Sequence, residues 1–391
     1  MREKNSSKLK IGVISNEFFD SKNGRVGGFG WAARELARFF VSHPEKGVEI
    51  VYVACQGYGD EDTQNLRVHG CRLITGYGSH LDLLRRMRSE KFDLLLTIDY
   101  RPNYRKVLMA LPRTPVIVWV RDPRPPSDEE RILSVRLPGK PDLLPAGLNT
   151  PQCDSMKQVA LFSKLLRRPL MFSVTCDFLL SKVAPTYRCT PKRIYKLPNI
   201  INIKPPSLEK SETPKVLFLA RLDPYKRPWL WAELAKSFPD VEFATLGKPH
   251  FEGEKAWKPE NLAPNIKLLG HLDASEKIAA IASSWVLVNT SIHEGLAVSF
   301  LEALKCETPI LSCVNPDDVV SRFGRFTGMF EGSGMEHLDR FKEGLRELLD
   351  DEPLRRRLGK EGREWVVKEH SEESFWAAFQ DLLPIAKIRK S

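Results

Sequence analysis

Predominantly apolar runs alternate with amphipathic helical stretches along most of the chain. Helical periodicity appears at Trp31–Val41 and Leu81–Lys91. The apolar runs of the first half are typical of parallel strands buried on both faces, and they are Lys10–Ser15, Val48–Ala54, Cys71–Thr75, Phe92–Ile98 and Val116–Val120. This alternation of strand and helix predicts an α/β protein with a parallel, doubly wound sheet.

The same alternation starts again in the second half, at Lys215–Ala220. It continues through Val241–Gly247, Ile266–Gly270 and Trp285–Val288. The segment Lys204–Pro214 carries proline, serine and charge without periodicity, which is typical of a linker. We therefore predict two Rossmann-like domains, residues 1–203 and 204–371, followed by a final helix over 372–391.

The stretch Ser291–Thr308 is the strongest candidate for a ligand site. Glu294 lies in the predicted turn after a buried strand, and Glu302 lies eight positions later on the following helix. Gly295 stands where the chain bends from strand to helix, so the backbone can pass close to a ligand. The start of that helix offers unpaired N–H groups and the positive end of its dipole to a phosphate. Two carboxylates beside an anion site suit a sugar nucleotide.

These residues also resemble a known signature. Glu294-Gly295 through Glu302-Ala303, followed by Thr308-Pro309-Ile310, is similar to the E-x₇-E motif of glycosyltransferase family 4 (group 1), the retaining enzymes of GT-B fold. The resemblance implies that Glu294 contacts the donor sugar and Glu302 the ribose of the nucleotide. The departures from the usual motif are Leu296 and Ala297 in the E-G-L-A loop and Glu307 before the Thr-Pro pair. Gly295, Leu296, Ala297 and His293 are expected to line the substrate site.

A second stretch, Arg221–Pro228, resembles the family's G-R-L-x-x-x-K-G segment. The resemblance implies that Arg221 and Lys226 neutralise the donor diphosphate. Negative charge grows on the leaving diphosphate, so fixed cations stabilise the transition state more than the ground state. With this charge supplied, no divalent metal ion is expected, and Arg221, Lys226 and Glu294 are the predicted catalytic residues. A basic surface turn is the alternative interpretation.

Two further candidates lie in the first half. The glycine loop Asn23–Gly30 opens a helix, and the resemblance implies that Gly27 and Gly28 approach the donor diphosphate or the acceptor. Arg121 and Asp122 follow a strand at the position where many family members carry a histidine that faces the transferred sugar. Arg121 would clamp an anionic acceptor, or the two residues form a structural ion pair.

The charge is distributed unevenly. The chain carries a net +10, but residues 1–200 hold 33 Lys and Arg against 20 Asp and Glu, whereas the remainder holds 27 against 30. This asymmetry indicates an anionic partner for the first domain, such as a lipid headgroup, a phosphate-bearing acceptor or an acidic polymer, with a solvated basic surface as the alternative. The helical stretch Leu81–Arg88 has two alternatives of its own, a membrane-surface helix or a core-packed helix with a basic outer face.

Other features restrict the compartment and the class of site. No run approaches the ~20 apolar residues needed to cross a bilayer, and the first residues lack the apolar segment of a secretory signal. We expect a cytoplasmic protein, with peripheral contact at the inner membrane face as one alternative. The seven cysteines form no C-x-x-C pair, so small buried thiols are expected. Asp60-Glu61-Asp62 and Asp317-Asp318 are expected to be surface turns instead of metal ligands.

The resemblance implies a GT-B protein, with two Rossmann-like domains facing a cleft and the last helix returning to the first domain. The expected function is transfer of a sugar, with retention, from a nucleoside-diphosphate donor to a glycan or lipid acceptor, without another cofactor and without nucleic acid. One rival is a non-catalytic binder of sugar nucleotides or polyanions, favoured by the altered E-G-L-A loop. The other is a dinucleotide-dependent oxidoreductase, against which the absence of a G-x-G-x-x-G motif with a distal acid argues.

Overall fold

The computed structural model describes residues 8–18, 27–55, 66–76, 80–148, 153–203, 209–272 and 274–384. Contacts between Cα atoms divide the chain into two compact units. The first unit comprises the chain up to Pro123, then Pro151–Ile200, then the chain from Glu372 onward; the second comprises Arg124–Thr150 and Ile201–Ser371. Each unit contains one largely parallel sheet whose strands alternate with helices, which confirms the predicted α/β class.

The first unit is built on an eight-stranded sheet of order β3-β4-β2-β1-β5-β6-β7-β8. All neighbouring strands are parallel except β3 and β4. The central strands are wholly buried, as their continuous apolar sequences predict. The strands are β1 (Leu9–Ile14), β2 (Val48–Val53), β3 (Arg67–Val68), β4 (Cys71–Ile74), β5 (Leu94–Ile98), β6 (Val116–Val120), β7 (Leu170–Val174) and β8 (Ile194–Lys196).

The second unit contains a six-stranded, all-parallel sheet of order β11-β10-β9-β12-β13-β14. Its core includes Phe218, Trp231 and Phe243, whose rings contact one another. The strands are β9 (Lys215–Leu219), β10 (Glu242–Leu246), β11 (Ile266–Gly270), β12 (Val286–Asn289), β13 (Ile310–Ser312) and β14 (Gly324–Phe326).

Helices connect the strands in both units. The α-helices of the described residues are α1 (Gly28–Ser42), α2 (His80–Ser89), α3 (Tyr104–Ala110), α4 (Pro126–Leu133), α5 (Met156–Leu165), α6 (Leu180–Tyr187), α7 (Pro228–Lys236), α8 (Ala274–Ser283), α9 (Val298–Lys305), α10 (Val319–Phe323), α11 (Leu338–Asp350), α12 (Glu352–His370) and α13 (Glu372–Leu382).

The segment Arg124–Thr150 clusters with the second unit, whereas the expected division kept residues 1–203 together. Ile132 and Val135 are fully buried in the core that also contains Trp229. Backbone bonds fix the segment further, since the Ala146 N–H donates to the Lys255 carbonyl at 2.8 Å. Apolar packing and backbone hydrogen bonds between loops thus assign this proline-rich stretch to the second unit. Its position in the sequence does not indicate this.

The last helix, α13, belongs to the first unit. Phe375 is fully buried and its ring lies 5.3 Å from that of Phe39 and 6.1 Å from that of Trp119. Phe379 stacks on Phe375 with ring centroids 5.6 Å apart. These aromatic side chains anchor the helix as part of the core.

Several expectations concern features of the whole chain. Within the described residues, no helix combines the length and hydropathy that crossing a membrane requires. In the same part of the chain, no group of three His, Cys, Asp or Glu side chains is placed to hold a metal ion. Cysteines are free thiols, and all except the half-buried Cys189 are buried, as expected. Asp60-Glu61-Asp62 and residues 23–26 of the glycine loop lie outside the described residues.

Candidate active site

The predicted cations and carboxylates of the second unit follow two neighbouring strands. Arg221 and Lys226 come after β9, and Glu294 comes after β12. β9 and β12 are paired in parallel, with Val216 opposite Val286, so their carboxyl ends lie at the same edge of the sheet. In open parallel sheets this is the edge at which ligands bind.

Lys226 and Glu294 are in direct contact. Lys226 Nζ donates to Glu294 Oε1 at 2.5 Å, and their side chains are only 17% and 12% exposed. The same oxygen accepts from Ser291 Oγ at 2.6 Å and from Asn289 Nδ2 at 3.2 Å. The carboxylate is therefore held in one position by three donors, in a region that water enters little.

A buried arginine, Arg227, joins the two loops that carry this pair. Its guanidinium donates to the carbonyls of Thr290 at 2.9 Å and Phe330 at 3.0 Å, and to Cys313 Sγ at 3.0 Å. Thr290 Oγ1 in turn donates to the Lys226 carbonyl at 2.7 Å. Sequence reasoning missed this role. The only signal was an arginine where the family has glycine, and its φ of 46° shows why glycine is usual there.

Arg221 lies at the same sheet edge but points to other partners. Its Nε lies 3.2 Å from Asp223 Oδ2, and its NH1 lies 3.5 Å from His250 Nδ1. The Asp223 carboxylate is 2% exposed and also accepts the His250 N–H at 3.1 Å. Arg221 itself is 41% exposed, so this cation faces solvent while a buried carboxylate anchors it. Neither Asp223 nor His250 was predicted.

Glu302 lies on α9, and Lys277 Nζ of α8 donates to its Oε1 at 2.7 Å. Leu296 and Ala297 are nearly buried in the loop that leads into α9. Ala297 caps the helix with an extended backbone and no side-chain hydrogen bond, so no side chain at the cap covers the amides of the first turn. Gly295 is also buried and lies between Glu294 and Leu296 in the same loop.

His293 points towards the segment Arg124–Thr150. Its side chain is 1% exposed, and its Nδ1 lies 3.5 Å from Asp128 Oδ2 and 3.4 Å from an Arg131 nitrogen. Arg131 and Asp128 are themselves bonded at 2.9 Å. These contacts within the second unit give His293 a packing partner on α4, which the sequence could not indicate.

In the first unit, Gly27 and Gly28 lie at the start of α1, as expected. A carboxylate already occupies this helix end, because Glu17 Oε2 accepts the N–H of Gly27 at 3.0 Å and that of Gly30 at 3.3 Å. The second unit contains a cavity of about 580 Å³. In the first unit, a cavity of about 530 Å³ adjoins the start of α1. The lining of the adjoining cavity is Ser15, Asn16, Glu17, Phe29, Arg101, Pro102, Asn103 and Tyr104.

Arg121 and Asp122 follow β6 but have different surroundings. Arg121 is 7% exposed, stacks over the Trp119 ring at 4.7 Å and donates to Asn199 Oδ1. Burial lowers the pKa of Arg121 to about 10. The Asp122 N–H donates to Asp99 Oδ2 at 2.8 Å. Arg121 is thus built into the unit through Asn199 instead of reaching outward as a clamp.

Asp99 is a residue that sequence reasoning missed. It is 4% exposed, has a φ of 56° and accepts the Tyr187 hydroxyl at 2.6 Å as well as the Tyr100 N–H at 2.7 Å. Its position directly after β5, at the carboxyl end of a central strand, was the available signal. Asp99 organises the loop that carries Asp122.

Residues 199–365 match the family model described as glycosyl transferases group 1. The chain is 27% identical over 164 residues to a glycosyltransferase 1 domain-containing protein 1 from Xenopus tropicalis, covering 41% of this chain and 46% of that protein. It is 28% identical over 145 residues to a GDP-mannose-dependent monoacylated alpha-(1-6)-phosphatidylinositol monomannoside mannosyltransferase from Corynebacterium glutamicum, covering 34% and 36%. The chain spans less than half the length of both curated relatives.

Among solved structures, a sucrose-phosphate synthase from Thermosynechococcus elongatus superposes with a TM-score of 0.70. The match covers 96% of this chain and 98% of that one, at 14% sequence identity. At this identity the likeness concerns the fold alone.

Proposed function

We propose, from the premise that residues 199–365 form a glycosyl transferases group 1 domain in a protein of GT-B fold, that this chain transfers a sugar from a nucleoside-diphosphate donor to an acceptor. The observation that carries the proposal is the contact between Lys226 and Glu294 across two loops, at the carboxyl ends of β9 and β12. A cation so placed suits the diphosphate of such a donor, and the neighbouring carboxylate suits its sugar hydroxyls.

The pair offers a simple route to donor recognition. In the structure Lys226 is neutralised by Glu294. A bound donor replaces this contact, because the diphosphate attracts the ammonium and the sugar hydroxyls donate to the carboxylate. Arg221, anchored by Asp223 and half-exposed, supplies the second cation. As the sugar–phosphate bond breaks, both cations face a growing negative charge, which lowers the barrier.

The remaining donor contacts are assigned to α9 and its preceding loop. The first-turn amides of α9 are suited to a phosphate oxygen, since no side chain of the cap residue covers them. Glu302 is suited to the ribose hydroxyls, and Lys277 fixes the orientation of its carboxylate at 2.7 Å. Gly295, Leu296 and Ala297 give the ligand a close backbone wall.

Retention and independence of a metal ion are finer parts of the same proposal. Ser291 and Asn289 hold Glu294 Oε1 in place independently of Lys226, so the carboxylate is positioned to accept hydrogen bonds from hydroxyls, and no nucleophilic role is assigned to it. The acceptor then enters on the face that the diphosphate leaves, and its proton passes to a phosphate oxygen. Arg221 and Lys226 take the charge-neutralising role that a divalent ion has in other transferases.

We assign the acceptor, a glycan or a lipid, to the first unit. The cavity of about 530 Å³ beside α1 presents Asn16, Glu17, Arg101 and Asn103, a set that hydrogen-bonds hydroxyls and accommodates an anionic group. The Gly27 N–H donates to the Glu17 carboxylate at 3.0 Å and so fixes its position in the lining of this cavity. A cytoplasmic location, with the protein peripheral at a membrane when the acceptor is a lipid, is consistent with this assignment.

A donor screen tests the proposal. The full chain is heated with UDP-, GDP- and ADP-sugars, and a donor present at 100 times its dissociation constant stabilises the folded state by about 2.7 kcal/mol. The stabilising donor is then supplied with candidate acceptors, and the anomeric configuration of the product is read by NMR. Donor binding without sugar transfer or hydrolysis would favour the second candidate, a non-catalytic binder, which the Glu17 carboxylate at the start of α1 also favours.

A further inference from the structure

Helices α3 and α5 of the first unit form a basic surface with exposed leucines. We define the α3–α5 surface by Arg105, Lys106, Lys157, Leu161, Lys164, Leu165, Leu166 and Arg167. Leu165 is 73% exposed, the highest value among the large apolar side chains of the described residues, and Leu161 is 59% exposed. Such neighbouring leucines on a monomer's surface indicate an interaction site.

The leucines belong to a continuous stripe of α5. Lys157, Leu161, Lys164 and Leu165 are spaced by four, seven and eight positions from the first, so they share one face of the helix. The opposite face, with Met156, is buried in the unit. α5 is therefore apolar on two sides, of which the fold covers one.

The surface is held in shape by contacts between the two helices. Arg105 NH1 of α3 donates to Gln158 Oε1 of α5 at 2.6 Å. After α5, the buried guanidinium of Arg168 donates to the carbonyls of Leu108 and Leu111, at the end of α3. The exposed stripe is thus part of a fixed two-helix face.

This face lacks acidic residues along its sequence. No Asp or Glu occurs from Tyr100 to Arg121 or from Met156 to Cys176. The preceding acid, Asp154, is paired with Arg188 at 2.8 Å. By contrast, α2 carries Asp82 in an ion pair with Arg86, and its Leu83 and Met87 are buried.

We propose that the α3–α5 surface docks on an anionic lipid bilayer. The leucines would enter the headgroup boundary, and the surrounding Lys and Arg side chains would contact lipid phosphates. Charge complementarity selects this occupant, because a surface with five cations around three leucines matches an extended negative plane with an apolar interior. The proposal extends the proposed function by presenting the acceptor domain to a membrane, but the docking itself requires no donor.

The test is sedimentation of the full chain with phosphatidylcholine vesicles, with and without phosphatidylglycerol. Binding is expected only with phosphatidylglycerol, and it should weaken as salt is raised. Leu161→Gln with Leu165→Gln should weaken binding at least about tenfold. Leu268→Gln, an exposed leucine of the second unit, is the matched control and should bind as the parent does.

A second pair of variants tests the charges. Lys157→Gln with Lys164→Gln should weaken binding about fivefold per cation. Lys258→Gln with Lys267→Gln, exposed lysines of the second unit, makes the same change in net charge and should have no such effect. Melting temperatures of all variants should match the parent, because every changed side chain is exposed.

Several outcomes would overturn the docking proposal: equal binding to both vesicle types, binding unaffected by the α5 variants, or binding to soluble polyglutamate as tight as to vesicles. Nucleotide-sugar stabilisation in the melting assay is a separate readout. If the parent chain fails to bind vesicles while donor stabilisation is intact, the docking proposal alone is refuted. If only the α5 variants lose vesicle binding while donor stabilisation is intact, the docking proposal is supported. Absence of donor stabilisation with vesicle binding intact refutes the donor site alone.

Discussion

Replacing Lys226 by alanine should reduce kcat by a factor of about 10² to 10³. The structure gives the basis for this magnitude. Lys226 Nζ lies 2.5 Å from Glu294 Oε1 with 17% of its side chain exposed, so its charge is poorly screened by water. One fixed donor aimed at charge that develops in the transition state contributes about 3 to 4 kcal/mol. Each 1.4 kcal/mol, roughly, is tenfold in rate.

The assay is the initial rate of nucleoside-diphosphate release at saturating donor, with urea unfolding to confirm that the variant folds. Lys236→Ala is the matched control, because its Nζ lies 2.6 Å from Glu233 Oε1 but is 49% exposed on the same unit. Such an exposed pair contributes about 0 to 1 kcal/mol to stability and should leave kcat unchanged.

Glu294→Gln completes a double-mutant cycle. Because Lys226 and Glu294 touch, the loss in the double variant should be smaller than the product of the two single losses. The reasoning is refuted if Lys226→Ala, although folded, retains kcat within about threefold of the parent, a change far below that of a transition-state contact. Equal losses in Lys226→Ala and Lys236→Ala would refute it as well.

Three further predictions concern stability. Arg227→Ala should lower the free energy of unfolding by about 3 kcal/mol in urea, since it leaves a cavity and unpaired buried carbonyls; an unchanged midpoint would contradict the bridging role. Gly247→Ala should lower the free energy of unfolding by about 3 kcal/mol, because its Cβ would lie 1.9 Å from the Ala220 carbonyl oxygen. In the control Gly253→Ala the Cβ meets nothing within 4 Å, so urea unfolding should show a smaller loss. Burial lowers the pKa of Lys210 from 10.5 to about 8, so the unfolded chain binds more protons than the folded chain between these pH values. In urea titrations, the stability of the parent relative to Lys210→Met should therefore rise by about 1 to 3 kcal/mol from pH 8 to 10. A fall in relative stability over this range would contradict the lowered pKa.

The chain's local elements were readable from its pattern. β6 has the predicted bounds, and α2, β5 and β9 end within two residues of theirs. The local sequence carries this information, because a continuous apolar run marks a strand buried on both faces and an apolar spacing of three to four marks a helix. The spacing of Glu294 and Glu302 likewise places one carboxylate in a turn and one on the following helix. Composition added the basic bias of the first half, and the motif resemblance pointed to the glycosyl transferases group 1, whose family model matches residues 199–365.

The partners of the site residues were not readable. Lys226 and Glu294 are 68 positions apart and meet only because β9 and β12 are neighbours in the sheet. His293 packs on α4, and the Glu17 carboxylate accepts hydrogen bonds at the start of α1. Each of these contacts depends on which elements pack together.

The sequence by itself determined two α/β units and the types of side chain that suit a sugar diphosphate. Only the tertiary structure decided that residues 124–150 pack with the second unit, that Arg227 bridges two loops from within the core, and that α5 keeps an uncovered apolar face. The physical reason is that periodicity reports whether a side chain is buried. The partner against which it is buried is set by contacts between segments far apart in the chain.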